Sequence, residues 1–253
     1  MEMPVNQFKR GLAAGRPQAG CWLSLGSAAA AEICASAGFD WMMIDMEHAP
    51  NDVPQVHQQL QAVAAYPTSA IVRPPWNDTV VIKRLLDLGA QTLLIPYVET
   101  AEDARKAAAA TRYPPKGVRG VSTNTRANRY ARVPDYFAKV EQELCVIVQI
   151  ESRAGIDNLE AIAAVEGIDA LFIGPQDLAA GFGHLGNPQH PEMVEIIGNA
   201  ITRIRNAGKA AGILAYVEAE AKKWMAHGAA FVAVTSDQSI LAKESSATAA
   251  KYR

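Results

Sequence analysis

The chain has 253 residues, of which 49% are hydrophobic and 20% are charged, a composition that suits one large globular domain or two small ones. Its formal net charge of −2 gives no reason to expect nucleic acid or an anionic membrane surface as a partner. No segment has the pattern of a secretory signal or a bilayer-spanning helix, so we expect no membrane association.

The cysteines are few and scattered. Cys21, Cys34 and Cys145 form no C-x-x-C pair, which speaks against a zinc knuckle or a disulfide framework. Free thiols persist in reducing compartments, so the sequence predicts a cytoplasmic protein.

Short apolar runs alternate with helical stretches along the whole chain. Strands are predicted at Gly20–Leu25, Trp41–Met46, Ala70–Arg73, Thr92–Tyr97, Leu144–Glu151, Ala170–Gly174, Ala211–Ala215 and Phe231–Thr235. Several are continuous apolar runs, which is typical of parallel strands buried on both faces. Eight such strands alternating with helices predict an α/β fold, a single (β/α)8 TIM barrel spanning residues 1–253. The alternative is a doubly wound open sheet, although no G-x-G-x-x-G follows the first strand.

Helix signals agree with this alternation. Ser27 is a predicted N-cap of a helix ending before Gly38, Asp78 opens another, and Thr100 to Asp103 form a capping box. One long irregular connection is predicted over Pro114–Val140, and loops of that length are usually functional.

Two arginines stand in that connection. Arg126 and Arg129 are either solvated surface residues or ligands for a carboxylate of a substrate.

Polar side chains follow four of the predicted strands. They are Asp45, Glu47 and His48 after the second strand, Arg73 after the third, Gln149 and Glu151 after the fifth, and Gln176 and Asp177 after the sixth. Active sites of barrels of this kind lie at the carboxyl ends of the strands, so these side chains are expected at one mouth.

Each of them has a structural alternative. His48 is either a surface residue or an acid–base group, and an imidazole that follows two acids on an apolar strand favours the second. Arg73, followed by Pro74, is either a structural ion pair or a rigidly placed fork for a carboxylate.

Glu151 and Asp177 are either helix N-caps or a pair of oxygen ligands for a hard cation such as magnesium or manganese. No histidine pair has metal-ligand spacing, which disfavours a His-rich zinc site. If a short helix starts near Gln176, the free N–H groups of Gln176 and Asp177 form a cradle for a carboxylate. None of the ten lysines closes a strand, so a Schiff-base mechanism is disfavoured.

These residues stand in stretches that resemble a known family. The stretches are Gly38–Trp41 with Ile44–Asp45, Glu47–Asp52, Val72–Pro74, Gly89–Pro96, Arg112–Gly117, Val148–Glu151 and Phe172–Leu178. In order and register from about Gly20 to Leu241, they are similar to the class II, metal-dependent pyruvate aldolases of the 4-hydroxy-2-oxoheptanedioate and 2-keto-3-deoxy-sugar-acid aldolase family.

The resemblance implies roles residue by residue. Glu151 and Asp177 match the ligands of a divalent metal, Mg²⁺, Mn²⁺ or Co²⁺. His48 matches the acid–base histidine and Asp45 the carboxylate that orients it. Arg73 matches the arginine that stabilises the enolate oxygen.

Further matches concern substrate binding and assembly. The backbone amides of Gln176 and Asp177 match those that bind the pyruvate carboxylate, and Gln149 and Trp22 fall in the pocket. Asp87 matches a residue that reaches the site from a neighbouring subunit. Family members are typically homo-hexamers whose last helix is exchanged between subunits.

The function implied is reversible cleavage of a 4-hydroxy-2-oxo acid to pyruvate and an aldehyde, such as succinic semialdehyde or a small hydroxyaldehyde, through a metal-stabilised pyruvate enolate. The alternatives are a lyase acting on an acyl-CoA or oxaloacetate-type substrate, and a non-catalytic barrel that binds a keto acid. Departures from the family pattern at Trp76–Asn77, Gln176, Ser122–Arg126 and Phe231–Ser236 leave the acceptor aldehyde open.

Overall fold

The computed structural model describes residues 1–253 and shows eight parallel strands in a closed barrel, each paired with its neighbours in the sequence and β1 paired with β8. The strands are β1 Gln18–Leu23, β2 Trp41–Asp45, β3 Ser69–Arg73, β4 Thr92–Ile95, β5 Cys145–Ile150, β6 Ala170–Ile173, β7 Ala210–Leu214 and β8 Phe231–Ser236. The predicted TIM barrel is confirmed, and the open-sheet alternative is wrong because no strand is left at an edge.

Helices surround the barrel. They are α1 Gln7–Ala13, α2 Ala28–Ser36, α3 Val53–Val63, α4 Thr79–Asp87, α5 Ala101–Thr111, α6 Tyr136–Glu143, α7 Arg153–Asp157, α8 Leu159–Ala163, α9 Pro175–Gly181, α10 Pro191–Asn206, α11 Glu218–His227 and α12 Asp237–Ala250. None of them is long and apolar enough to cross a bilayer.

The predicted helix starts are confirmed. Ser27 and Asp78 accept hydrogen bonds from the first turns of α2 and α4, and Thr100 with Asp103 forms the capping box of α5. The irregular connection is shorter than expected, because α6 begins at Tyr136, whose ring is buried.

The core has two layers. One fills the space between the strands and the surrounding helices, and the other fills the barrel itself with large aromatic and aliphatic side chains. Phe8 of α1 enters the barrel from its amino-terminal end and packs edge-to-face on Phe231 at 5.3 Å and on Trp41 at 6.2 Å between ring centroids. With that end closed, the carboxyl-terminal end, called the mouth below, is left for the polar side chains.

The aromatic interior requires a glycine at position 20. A Cβ atom on Gly20 would overlap the Trp41 indole, which lies on the neighbouring strand of the barrel. We expect Gly20→Ala to lower the free energy of unfolding by ~1–3 kcal/mol, the usual cost of overpacking a core, measured by urea denaturation.

Gly198→Ala in α10 is the matched control, since its added Cβ would meet no atom closer than 3.6 Å. It should leave stability unchanged or raise it by ~0.5–1 kcal/mol, because alanine suits a helix interior better than glycine. A Gly20→Ala protein as stable as the wild type would contradict the packing described for the barrel interior.

Candidate active site

Arg73 and Asp45 form the buried base of the mouth. Arg73 ends β3 and Asp45 ends the adjacent β2, and the two are paired in the barrel register. The guanidinium donates from Nε to Asp45 Oδ1 at 2.8 Å and from Nη2 to Asp45 Oδ2 at 2.7 Å. Each oxygen of Asp45 thus accepts one hydrogen bond from Arg73, the bidentate geometry of an arginine–carboxylate pair. The side chains are 6% and 2% exposed, which makes this a desolvated ion pair.

Asp45 has no free acceptor position. Its Oδ2 also accepts from Trp22 Nε1 at 3.1 Å, and its Oδ1 from the backbone N–H of Glu47 at 3.0 Å. Four hydrogen bonds use the whole acceptor capacity of a carboxylate. Burial opposes ionisation, but the hydrogen bonds and charge of Arg73 outweigh it and lower the pKa of Asp45. Asp45 therefore fixes Arg73 and Trp22 in place.

Glu47 is a second acidic residue at the mouth, and no separate role was predicted for it from the sequence. Its Oε2 lies 2.7 Å from Arg73 Nη1, and its side chain is 11% exposed. Burial raises the pKa of Glu47, and the charges of Arg73 and His48 act in the opposite direction. Glu47 follows the end of β2, and the alternation of side chains along a strand does not predict the direction of a side chain beyond the strand end.

Gln149 and Glu151 continue the charged surface from the end of β5. Gln149 Nε2 donates to Glu151 Oε2, and Gln149 Oε1 accepts from Arg73 Nη1 at 3.4 Å. Glu151 Oε1 accepts from the backbone N–H of Tyr97 at 2.8 Å. Burial raises the pKa of Glu151 to about 7, and the nearby charges of Glu47 and Asp177 add to that effect.

Gly174 leaves room for this carboxylate. A Cβ atom at Gly174 would lie 2.7 Å from Glu151 Oε2 and 2.8 Å from Gln149 Nε2. The backbone of the β6–α9 turn thus approaches the two side chains more closely than any other residue type would allow.

The short helix α9 begins at this turn, which meets the condition stated for a cradle of free N–H groups. Gly174 is its N-cap without a side-chain acceptor, and Asp177 lies in its first turn. The N–H groups of Gln176 and Asp177 have no acceptor within the chain. Both residues line a cavity of about 410 Å³ at the mouth, together with Trp22, Asp45, His48, Arg73 and Gln149.

The donor set of the mouth fits a divalent cation. Four carboxylates, those of Asp45, Glu47, Glu151 and Asp177, share the single guanidinium of Arg73. Oxygen ligands with excess negative charge suit Mg²⁺, Mn²⁺ or a similar ion, and a bound cation would offset the burial and the repulsion that raise the pKa of Glu151. Glu151 and Asp177, the predicted ligands, lie on adjacent strand ends as expected.

His48 lies at the mouth but does not contact Asp45. Its side chain is 66% exposed, and its Nε2 is 3.9 Å from Glu47 Oε2, beyond hydrogen-bonding distance. The structure therefore does not bring together the Asp45–His48 pair that the family resemblance implies, because the oxygens of Asp45 are occupied by other donors.

Three further residues lie at the opposite end of the barrel. Asp87 ends α4 and pairs with the buried Arg119 at 2.9 Å. Arg126 donates to the carbonyl oxygens of Leu88 and Leu60, and it lines a second cavity there together with Arg129. Within one chain, none of the three reaches the mouth, so a role of Arg126 or Arg129 in binding a substrate carboxylate and the approach of Asp87 from a neighbouring subunit stay predictions.

A histidine cluster that the sequence spacing did not suggest forms before α10. His184 Nε2 lies 2.7 Å from Glu192 Oε2, and the His184 and His190 rings stack at 3.7 Å with an angle of 15°. A metal bound by two imidazoles lies near the plane of each ring, and stacked parallel rings share no such position. His190 Nδ1 instead accepts from the backbone N–H of Glu192, which caps the helix.

Comparisons with known proteins identify the family of this chain. The family model described as HpcH/HpaI aldolase/citrate lyase matches residues 18–243. A protein of Salmonella dublin named 4-hydroxy-2-oxo-heptane-1,7-dioate aldolase is 56% identical over 248 residues, which are 98% of this chain and 94% of the relative. A protein of the same name from Klebsiella pneumoniae subsp. pneumoniae has the same identity and coverage, 56%, 98% and 94%.

A solved structure is similar over the whole length. The crystal structure of an HpcH/HpaI aldolase/citrate lyase family protein from Burkholderia cenocepacia has a TM-score of 0.95 at 41% identity, and the match covers 98% of this chain and 100% of that one. Fold, strand-end chemistry and sequence similarity lead to one assignment: the chain is a carbon–carbon lyase that belongs to the HpcH/HpaI aldolase/citrate lyase family.

Proposed function

We propose that the mouth of the barrel cleaves 4-hydroxy-2-oxo acids reversibly to pyruvate and an aldehyde. The observation that carries this proposal is the buried guanidinium of Arg73 among four carboxylates, a site that needs a cation and offers one fixed positive group beside it. The relatives at 56% identity are named for a seven-carbon diacid of this kind, whose cleavage gives pyruvate and succinic semialdehyde.

Glu151 and Asp177 are the proposed ligands of a divalent cation, with Glu47 as a further negative group beside them. When bound, the cation would polarise the 2-oxo group of the substrate. The family is metal-dependent in general, and Mg²⁺, Mn²⁺ and Co²⁺ are the proposed ions.

The chain's own residues are assigned the other steps. His48 takes the proton of the C4 hydroxyl, the C3–C4 bond breaks, and its electron pair passes into the 2-oxo acid fragment while C4 leaves as the aldehyde carbonyl. Arg73 stabilises the negative charge that develops on the enolate oxygen, and the fork to Asp45 keeps it from moving as the charge forms. A proton returned to C3 completes pyruvate.

Two features of this mechanism follow from the geometry at the mouth. The exposure of His48 leaves its imidazole free to rotate toward the substrate hydroxyl and back to solvent. The free N–H groups of Gln176 and Asp177 are the proposed binding groups for the substrate carboxylate, while Trp22 and Gln149 form the floor of the cavity.

The alternative substrates are supported less well. Arg73 is the one lysine or arginine that lines the cavity, so a nucleotide tail of an acyl-CoA would find no cationic groove there. Oxaloacetate would give the same pyruvate enolate on losing carbon dioxide and is proposed as a side substrate. A non-catalytic barrel would have no use for an acid–base histidine beside an arginine fixed by two carboxylates.

We propose further that the active protein is a homo-hexamer in the cytoplasm, with α12 exchanged between subunits. In one chain, Asp237 is the only buried residue of α12, and Ile240 and Leu241 are 39% and 60% exposed. A helix with this exposure suits packing on a second barrel. The same assembly is needed for Asp87 to approach a mouth, and the three free cysteines suit a reducing compartment.

The metal assignment is tested by binding. Glu151→Gln removes a charge from the proposed ligand set, so we expect Mn²⁺ affinity, followed by electron paramagnetic resonance, to fall at least ~10-fold, as for loss of an important coordinating or supporting group. Asp177→Asn should behave in the same way. Glu166→Gln, at an exposed position far from the mouth, is the control and should bind as the wild type does. Unchanged affinity in both mouth variants would exclude these ligands.

The enolate step is tested without any aldehyde. The Mg²⁺-loaded protein should exchange the methyl protons of pyruvate with deuterated solvent, observed by proton NMR. Arg73→Ala removes the positive group beside the developing charge and should slow exchange by ~10²–10³-fold. Arg203→Ala, which removes a surface arginine paired with Glu160, should leave the rate unchanged. Aldol cleavage by a wild-type protein that shows no exchange would refute the proposed mechanism.

A further inference from the structure

The mouth is divided into two parts of different chemistry. The charged arc consists of Asp45, Glu47, Arg73, Glu151 and Asp177, from the ends of β2, β3, β5 and β6. The polar residues that line the cavity beyond the ends of β7, β8 and β1 are Tyr216, Gln238 and Ser24; they are called the neutral arc, and Leu214 and Trp22 line the cavity beside them. Because β8 pairs with β1, these three residues are neighbours around the rim.

The neutral arc is held rigid from below. The Asp237 carboxylate, 4% exposed, accepts from the backbone N–H groups of Ser24 at 2.8 Å and Leu25 at 3.2 Å. It thereby ties the loop after β1 to the start of α12, directly beside Gln238. The backbone at Ser24 and the start of α12 are therefore joined by contacts within the chain.

Tyr216 is the largest side chain of the neutral arc. It is 40% exposed, lines the cavity and lies beside the Ser236 side chain. Burial raises the pKa of Tyr216 to about 12, so its hydroxyl stays protonated at neutral pH and can donate a hydrogen bond. Ser24 and Gln238 add one hydroxyl and one amide, and no residue of the neutral arc is charged.

The charged arc accounts for the 2-oxo acid half of the substrate, which leaves the neutral arc to face the aldehyde half. Resting on the proposed aldolase function, we propose that Tyr216, with Ser24 and Gln238, forms the acceptor subsite and selects aldehydes that carry hydroxyl groups. An uncharged surface of donors and acceptors matches hydroxyls, whereas a distal carboxylate would meet no cation in this arc. Tyr216 is a specificity-determining residue in this assignment.

The test is a comparison of kcat/KM for condensation of pyruvate with three aldehydes. Glyceraldehyde and propanal have the same carbon chain with and without hydroxyls, and succinic semialdehyde carries the distal carboxylate. We expect glyceraldehyde to be the best acceptor. Tyr216→Phe removes only the hydroxyl and should lower kcat/KM for glyceraldehyde by about three- to tenfold, the worth of one neutral hydrogen bond, while that for propanal stays unchanged.

Gln238→Ala should act in the same direction, and Val217→Ala is the control, because Val217 is next to Tyr216 but does not line this cavity. Equal losses for glyceraldehyde and propanal in Tyr216→Phe, or a wild type that prefers succinic semialdehyde, would overturn the acceptor assignment. Pyruvate methyl exchange distinguishes a failure of the acceptor subsite from a failure of the aldolase function. If wild type and Tyr216→Phe both exchange and the preference is absent, only the acceptor subsite is wrong. If no exchange and no condensation occur, the aldolase function itself fails, and the subsite with it.

Discussion

The active end of this barrel depends on one buried guanidinium. Arg73 donates to both oxygens of Asp45 and lies within contact of Glu47 and Gln149, so it connects three side chains from the ends of β2 and β5. A buried arginine is tolerated only when nearby negative charge neutralises it. Here the surrounding carboxylates carry more negative charge than the one guanidinium can neutralise. The excess is concentrated around Glu151 and Asp177, so the same ion pair both supports the mouth and stands beside the proposed cation site.

Much of the architecture could be predicted from the sequence. The strands are continuous apolar runs that alternate with helices, and this alternation predicts the closed barrel. Polar residues follow the carboxyl ends of the strands, and this order predicts that Arg73, Glu151 and Asp177 lie together. Helix caps are local interactions over three residues, and for that reason Ser27, Asp78 and Thr100 were predictable.

Other contacts could not be predicted because they are decided by competition in three dimensions. Whether Asp45 binds His48 or Arg73 depends on which donors the folded chain places beside its two oxygens. Arg73 supplies two of the four hydrogen bonds, and the backbone N–H of Glu47 and the Trp22 indole supply the other two. The position of Arg126 could not be predicted for another reason. A long connection can return to either end of a barrel, and its arginine is bound by the carbonyl oxygens at the far end.

The pairing of β1 with β8 has a consequence for biosynthesis. The first strand has no partner on one side until residues 231–236 exist, and Phe8 has no Phe231 to pack against. Most neighbouring strand pairs can form as the chain leaves the ribosome, but the barrel cannot close before nearly the whole chain has emerged. Until that moment, the nascent protein exposes two sheet edges and an aromatic interior. The interval between synthesis of β7 and β8 is thus the time at which it most needs protection from association with other chains.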